Sequence, residues 1–198
     1  MNPQAMKQSL RQSIIAARQN LAAADRAAFS RAITARLAAL AAYQSASTVL
    51  GYMSFGAEFE SAAWVQQALL DNKQVLLPKV NRSSKQLDLY QISDLQQDLA
   101  PGAWDIAEPV PGRCRKVETL NEVDFILLPG VAFARDGARL GYGGGFYDKL
   151  LARMPHQPAL AAAAFSMQLV ADIPQEATDR KVEWLLTEHE TIQCAAQH

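Results

Sequence analysis

The residues with the greatest capacity for chemistry form one run, Arg139-Leu-Gly-Tyr-Gly-Gly-Gly-Phe-Tyr-Asp148. Glycines lack the Cβ that blocks close approach, so their backbone N–H groups can converge on an anion. A strand-like apolar run, Val123–Leu128, and a polar turn at Arg135-Asp136-Gly137 precede the glycines. A helix-like run, Phe146–Met154, follows them and adds the partial positive charge of a helix start. Arg139 supplies a planar cation for phosphate oxygens, and Asp148 a hard carboxylate for a divalent metal. The segment reads as a seat for a nucleotide triphosphate.

Spacing excludes the better-known glycine loops. A dinucleotide fingerprint needs a third glycine where Phe146 stands, and a Walker loop needs Lys-Ser or Lys-Thr after a glycine, which occurs nowhere in the chain. Gly51-Tyr-Met-Ser54 has the wrong interval for a nucleophile elbow. Three histidines and two cysteines show no soft-metal ligand spacing. A plain flexible connector is the competing reading of Gly141–Gly145, but Arg139, Tyr142, Tyr147 and Asp148 bracket it as site residues do on loops. Near the N-terminus, Lys7 and Arg11 lie four apart and share a helix face that could grip phosphates. By spacing alone, the commoner meaning of such a pair is a solvated basic face.

These residues need a scaffold, and the chain has the means to build one. It has 198 residues, 49% hydrophobic and 20% charged, enough for one packed domain and against disorder. The net charge of −1 gives no general attraction to nucleic acid or anionic membrane, so any anion must be held by local clustering. Cys114 and Cys194 read as free thiols of a reducing compartment. No run approaches membrane-spanning length, and a cytoplasmic monomer is expected. Hydrophobic periodicity predicts helices over Met6–Asn20, Asp25–Ala42 and Ser61–Leu70, the last capped by Ser61. Strands are predicted at Thr48–Met53, Gln74–Leu77 (stopped by Pro78), Leu87–Ile92, Val123–Leu128, Ala159–Phe165 and Trp184–Leu186, with a long loop from Ser93 to Leu120. Alternating strands and helices imply an α/β fold with a mainly parallel mixed sheet flanked by helices. The chain 1–198 is expected to be a single domain, with helices in 1–42 packing on the α/β core.

At these motifs the chain resembles the 5-formyltetrahydrofolate cyclo-ligase (methenyltetrahydrofolate synthetase) family. The likeness runs through Leu128-Pro-Gly-Val-Ala-Phe133, Asp136-Gly137 and Arg139–Asp148. It continues in Lys7-Gln-Ser-Leu-Arg11, in Tyr52-Met53 with Glu58-Phe-Glu-Ser61, in Trp104–Pro109, and in Thr178-Asp179-Arg180-Lys181-Val182 with Thr187-Glu188. Phe146 stands where the family often has tyrosine, Thr178 where histidine is common and Glu183 where aspartate is usual, which leaves open whether Glu183 joins a metal site. The resemblance implies a fold of the ribose-5-phosphate isomerase and CoA-transferase-like group. It also implies ATP- and Mg²⁺-dependent conversion of 5-formyltetrahydrofolate to 5,10-methenyltetrahydrofolate. Carried over to this sequence, it assigns ATP to Lys7, Gln8, Ser9, Leu10, Arg11, Arg139, Leu140, Gly141, Tyr142, Gly143, Gly144, Gly145, Phe146 and Tyr147. The folate falls to Arg11, Met53, Glu58, Trp104, Tyr142, Gly143, Gly144, Gly145 and Phe146. Arg139 and Tyr142 are the implied catalytic residues, and Asp148 and Asp179 the implied Mg²⁺ ligands. Two other readings stay open: a folate- or nucleotide-binding regulator without turnover, and an ATP-dependent kinase or ligase acting on another small anion.

Overall fold

Uncharged apolar runs at 48–50, 125–128 and 159–163 have no face suited to water, and each becomes a strand covered on both sides. The computed structural model describes residues 2–102, 105–176 and 179–194; Trp104 and Thr178 lie outside the described residues. In chain order, α1 (Pro3–Gln19), α2 (Ala23–Ala39) and α3 (Ala41–Ser45) lead to β1 (Thr48–Leu50). Then come α4 (Ser61–Leu70), β2 (Gln74–Asn81), β3 (Gln86–Ile92), β4 (Leu99–Pro101), β5 (Ala107–Pro109) and β6 (Arg115–Val117). The remainder is β7 (Phe125–Leu128), β8 (Ala132–Ala134), β9 (Arg139–Leu140), α5 (Phe146–Ala152), β10 (Ala159–Ala163), β11 (Leu169–Val170), β12 (Trp184–Leu186) and β13 (Thr191–Gln193).

Eight strands form one sheet in the order β13-β12-β10-β7-β1-β2-β3-β6. The five from β12 to β2 run parallel, while β13, β3 and β6 are joined at the margins by antiparallel pairing. The architecture is therefore α/β with a mixed, mostly parallel sheet, as expected. Side chains alternate across it. Val49, Phe125 and Leu127 join Ile33, Leu37, Tyr43, Trp64 and Val65 under α2, α3 and α4. Leu50, Ile126 and Leu128 join Leu150, Leu151 and Leu185 on the α5 side. A small sheet, β11-β8-β9, carries α1: Ile14 packs with Val131, Ala132, Ala138 and Leu140, supported by Leu10 and Ile15.

Several sequence expectations need correction. Pro78 does not stop β2, which continues to Asn81 and pairs with β3 throughout, while its pairing to β1 ends at Leu76. Proline is tolerated there because no donor is needed on the side that β1 has left. Helix 25–42 is broken at Leu40, whose extended backbone separates α2 from α3 and lets Tyr43 enter the core against Trp64 and Phe125. Ser61 is the first residue of α4 rather than its cap. Its hydroxyl donates to the Tyr52 carbonyl at 2.6 Å and accepts from the Ser54 amide at 2.9 Å. The stretch 93–120 is not all loop, since it contributes β4, β5 and β6, each only three residues long.

The β8–β9 turn depends on one glycine. Gly137 has φ +90°, its carbonyl accepts from the Val182 amide at 2.9 Å, and an added Cβ would collide with the Val182 carbonyl oxygen. Gly137→Ala is expected to lower the unfolding free energy by about 2–4 kcal/mol. Urea denaturation measures this directly, and an unshifted midpoint would show that the turn bears no such constraint.

Candidate active site

In open α/β sheets, ligands settle outside the carboxyl ends of the strands, where loops from neighbouring strands diverge. Here β1 and β7 are neighbours, so the segments that follow them lie side by side. After β1, the Ser54 and Ser61 hydrogen bonds fix the turn that presents Tyr52, Met53, Phe55 and Glu58. After β7, the β8–β9 hairpin returns Arg139 and Leu140, and the glycine run then enters α5 with Gly145 at its N-cap position. Gly143 and Gly145 have φ of +102° and +62°, conformations that side-chain-bearing residues rarely adopt. Among the described residues, the N–H groups of Gly143, Gly144 and Gly145 donate to no backbone acceptor.

Helix α1 closes the third side. Lys7, Arg11, Ile14 and Arg18 recur at intervals of four, three and four, which aligns them on one face. That face meets the hairpin and the glycine run. Arg11 Nε donates to the Gly141 carbonyl at 2.7 Å, and Arg18 Nη2 donates to the Tyr142 hydroxyl at 2.7 Å. The half-open cavity between these elements measures about 1180 Å³. Sites for one drug-sized ligand hold roughly 300–1000 Å³, so two small molecules fit side by side.

Most of the residues singled out from sequence line this cavity together: Lys7, Arg11, Met53, Glu58, Arg139, Leu140, the run Gly141–Gly145, Phe146, Tyr147, Asp148 and Asp179. Gln8 and Ser9 do not; both are exposed to solvent, and Leu10 turns towards the small sheet. Trp104 lies outside the described residues. Glu183 sits in the segment leading into β12, does not line the cavity, and has its carboxyl pushed up by burial. The structure adds wall residues that sequence did not suggest, among them Phe55, Ile106, Glu108 and Glu176. Arg18 is not among the site residues singled out from sequence. Its place as the last cation in a Lys7–Arg11–Arg18 stripe is the signal that could have singled it out.

Several charges on the cavity wall are paired. Arg139 Nη2 meets Asp148 Oδ1 at 2.8 Å and Arg139 Nη1 donates to the Pro129 carbonyl, while its buried Nε has no partner. Lys7 Nζ meets Glu176 at 3.0 Å and Asp179 Oδ2 at 3.6 Å. Lys79 and Glu108 pair at 3.0 Å beside the apolar end formed by Pro78, Val80 and Leu87. Tyr142 hydrogen-bonds Glu58 Oε1 at 2.5 Å and stands against Phe55, with ring centroids 5.3 Å apart. Burial pushes the Glu58 carboxyl above its ordinary value, while the Tyr142 hydroxyl, the Phe55 amide and Arg18 pull it back. Burial, reinforced by the Glu58 charge, raises Tyr142; burial raises Tyr147 as well, so both are phenols at neutral pH.

Among the described residues no three His, Cys, Asp or Glu side chains converge on a metal position. Magnesium, however, is commonly held by one or two carboxylates with substrate phosphates and waters. Hydrogen bonds and ion pairs among the described residues occupy Oδ1 of Asp148 and Oδ2 of Asp179, leaving the other oxygen of each for a cation. The donor set fits a metal that arrives with a nucleotide rather than one resident in the protein.

Fold and cavity together define an α/β protein with a large cavity walled on one side by a glycine run. The chain belongs to the 5-formyltetrahydrofolate cyclo-ligase family, whose model matches residues 3–188. It is 30% identical over 190 residues to the 5-formyltetrahydrofolate cyclo-ligase of Mus musculus, covering 92% of this chain and 93% of that protein. The enzyme of the same name from Haemophilus influenzae is 31% identical, with coverage of 90% and 95%. Among solved structures, the 5,10-methenyltetrahydrofolate synthetase of Aquifex aeolicus superimposes with a TM-score of 0.83 at 31% identity, covering 98% of this chain and 95% of that one. The Mycoplasma pneumoniae synthetase, at 20% identity, shares the fold with a TM-score of 0.74, covering 95% of this chain and 99% of its own.

Burial of Glu58 has a consequence for stability. A carboxyl raised in the folded state contributes stability that is full below its ordinary value of 4.5 and lost as pH rises through the folded value. Glutamine does not titrate. The stability of Glu58→Gln relative to the parent chain should therefore improve as pH rises from below that value towards neutrality. Urea titrations across that range test the sign, and a constant difference would contradict it.

Proposed function

We propose that this chain converts 5-formyltetrahydrofolate to 5,10-methenyltetrahydrofolate, consuming ATP and releasing ADP and phosphate. The observation that carries this reading is the shared cavity: Arg139 and the glycine run face the same space as Met53 and Glu58. A formamide is a poor electrophile because its nitrogen lone pair feeds the carbonyl. Transfer of the γ-phosphoryl group to the formyl oxygen makes that oxygen a leaving group. The folate's N10 then attacks the formyl carbon, phosphate departs, and the N10 proton is lost as the five-membered ring closes. Most of the work is positioning and charge neutralisation, so no nucleophilic side chain is required.

In this reading Arg139 neutralises charge on the transferring phosphoryl group, a role supported by its place beside Asp148 on the cavity wall. Tyr142 stands as a phenol at the junction of the two subsites, its proton directed to Glu58. The amides of Gly143, Gly144 and Gly145 receive phosphate oxygens, and Lys7 and Arg11 approach the triphosphate from α1. Met53 and Glu58 take the pterin, the carboxylate accepting from its N–H edge, with Phe146 against the ring and Tyr147 towards the nucleotide. Asp148 and Asp179 hold Mg²⁺, which shields the phosphate charges when bound. The same proposal treats residues 1–198 as one domain, with the helices of 1–42 packed on the α/β core. It takes the enzyme as a cytoplasmic monomer with a fold of the ribose-5-phosphate isomerase-like group. No helix among the described residues is long and apolar enough to cross a membrane, and Cys114 and Cys194 are free thiols.

Purified protein mixed with Mg-ATP and 5-formyltetrahydrofolate should yield the strongly absorbing methenyl product in step with ADP. ATP consumption that is indifferent to the folate would instead mark a kinase or ligase of another anion. Asp148→Asn is expected to slow turnover by about a hundredfold or more while leaving folate affinity within about twofold. An undiminished rate at limiting Mg²⁺ removes Asp148 from the metal site.

A further inference from the structure

Behind the glycine run, three side chains meet that no phosphate or metal requires. Arg18 Nη2 lies 2.7 Å from the Tyr142 hydroxyl, the same hydroxyl lies 2.5 Å from Glu58 Oε1, and Arg18 Nη1 stands 3.9 Å from that oxygen. The side chains of Arg18 and Glu58 are each only 5% exposed. Arg18 does not line the cavity, whereas Tyr142 and Glu58 do. A guanidinium can only donate, so the Tyr142 oxygen accepts from Arg18 and its single proton is directed to Glu58. Glu58 Oε2 meanwhile takes the Phe55 amide at 3.1 Å. Both oxygens therefore face donors, an arrangement suited to a carboxylate rather than a carboxylic acid. Arg18 Nε is buried with no partner, so the guanidinium is not seated to complete its own hydrogen bonds.

We propose that Arg18 is a positioning residue for the reduced folate, acting through Tyr142 to hold Glu58 as a charged double acceptor for the adjacent N–H donors on the pterin edge. This rests on the cyclo-ligase reading, which places the pterin against Glu58. The titratable and charged groups facing Glu58 are Arg18 from α1, Tyr142 from the glycine run, Tyr52 from the segment after β1 and Tyr147 from α5. Burial keeps all three tyrosines protonated near neutrality, which leaves Arg18 as the charge that opposes desolvation of the carboxylate. Without Arg18 a larger fraction of Glu58 is protonated in mildly acidic solution, and an acid cannot accept from both donors. Arginine at this position thus acts on one substrate and not on the other.

The test is equilibrium binding of 5-formyltetrahydrofolate alone, and of Mg-ATP alone, to the full chain near pH 6 and near pH 8, by calorimetry. Arg18→Met is expected to weaken folate binding about tenfold or more at the lower pH and less at the higher, the scale of one hydrogen bond to a charged group. Arg18→Lys, which keeps a donor-only cation, should recover most of the loss, and Mg-ATP binding should stay within about twofold. Equal weakening of both ligands, or a folate loss that does not grow as pH falls, overturns the proposal in favour of a purely structural role. Should Arg18→Met fail to give a cooperative unfolding transition, Tyr142→Phe takes its place. That variant removes the relaying hydroxyl while keeping the guanidinium; it must show the same acid-enhanced loss, and a pH-independent affinity overturns the proposal. Parent protein that binds no 5-formyltetrahydrofolate at either pH strikes down the cyclo-ligase reading, whereas parent and variant with the same pH profile strike down only the role of Arg18.

Discussion

The parallel pairing of β1 with β7 is the constraint on which the site hangs. Val49 stands opposite Phe125 and Leu50 opposite Ile126, and all four are fully buried. β1 is three residues long, so hydrogen bonds alone would hold its register weakly. Burial of alternate side chains in separate layers holds it instead, because a slip of one residue would send Val49 and Leu50 to each other's side of the sheet. With that register fixed, the segment carrying Met53 and Glu58 and the segment carrying Arg139 and the glycines leave adjacent strand ends. The contact between Tyr142 and Glu58, 84 residues apart in the chain, follows from it.

Helix α1 adds a third wall to this juxtaposition. It buries two cations, Lys7 and Arg18, which would be costly without partners. Lys7 is met by Glu176 and Asp179, and Arg18 by Tyr142 and Glu58. Every cation of the α1 stripe thus has its partner on the cavity wall rather than on its own helix. The pairing of Arg139 with Asp148 obeys the same logic. These carboxylates offset the buried cations of the cavity wall, so burial leaves neither Lys7, Arg18 nor Arg139 without a counter-charge.

Much of this was legible in the sequence. The apolar runs 123–128 and 159–165 announced buried strands, and the glycine run with Arg139 and Asp148 announced one wall of the cavity. What escaped the sequence escaped for physical reasons. The strands β4 to β6 are too short to show an alternating period, and the continuation of β2 past Pro78 depends on which neighbour has already left its edge. Glu176 lies in an irregular segment, so only tertiary structure brings it to Lys7. Contiguous motifs also mislead on a helix. Lys7-Gln-Ser-Leu-Arg11 looks like one binding element, yet 100° of rotation per residue sends Gln8 and Ser9 to solvent and keeps only the ends of the motif at the cavity.

The ion pair between Lys7 and Glu176 spans 169 positions of the chain. During synthesis α1 leaves the ribosome long before its anchors exist, carrying cations and an apolar stripe with nothing to cover them. The β8–β9 hairpin that receives Ile14 and the segment that receives Lys7 both arrive late. The cavity is therefore a property of the nearly finished polypeptide, since its α1 wall is held by residues that follow it by well over a hundred positions.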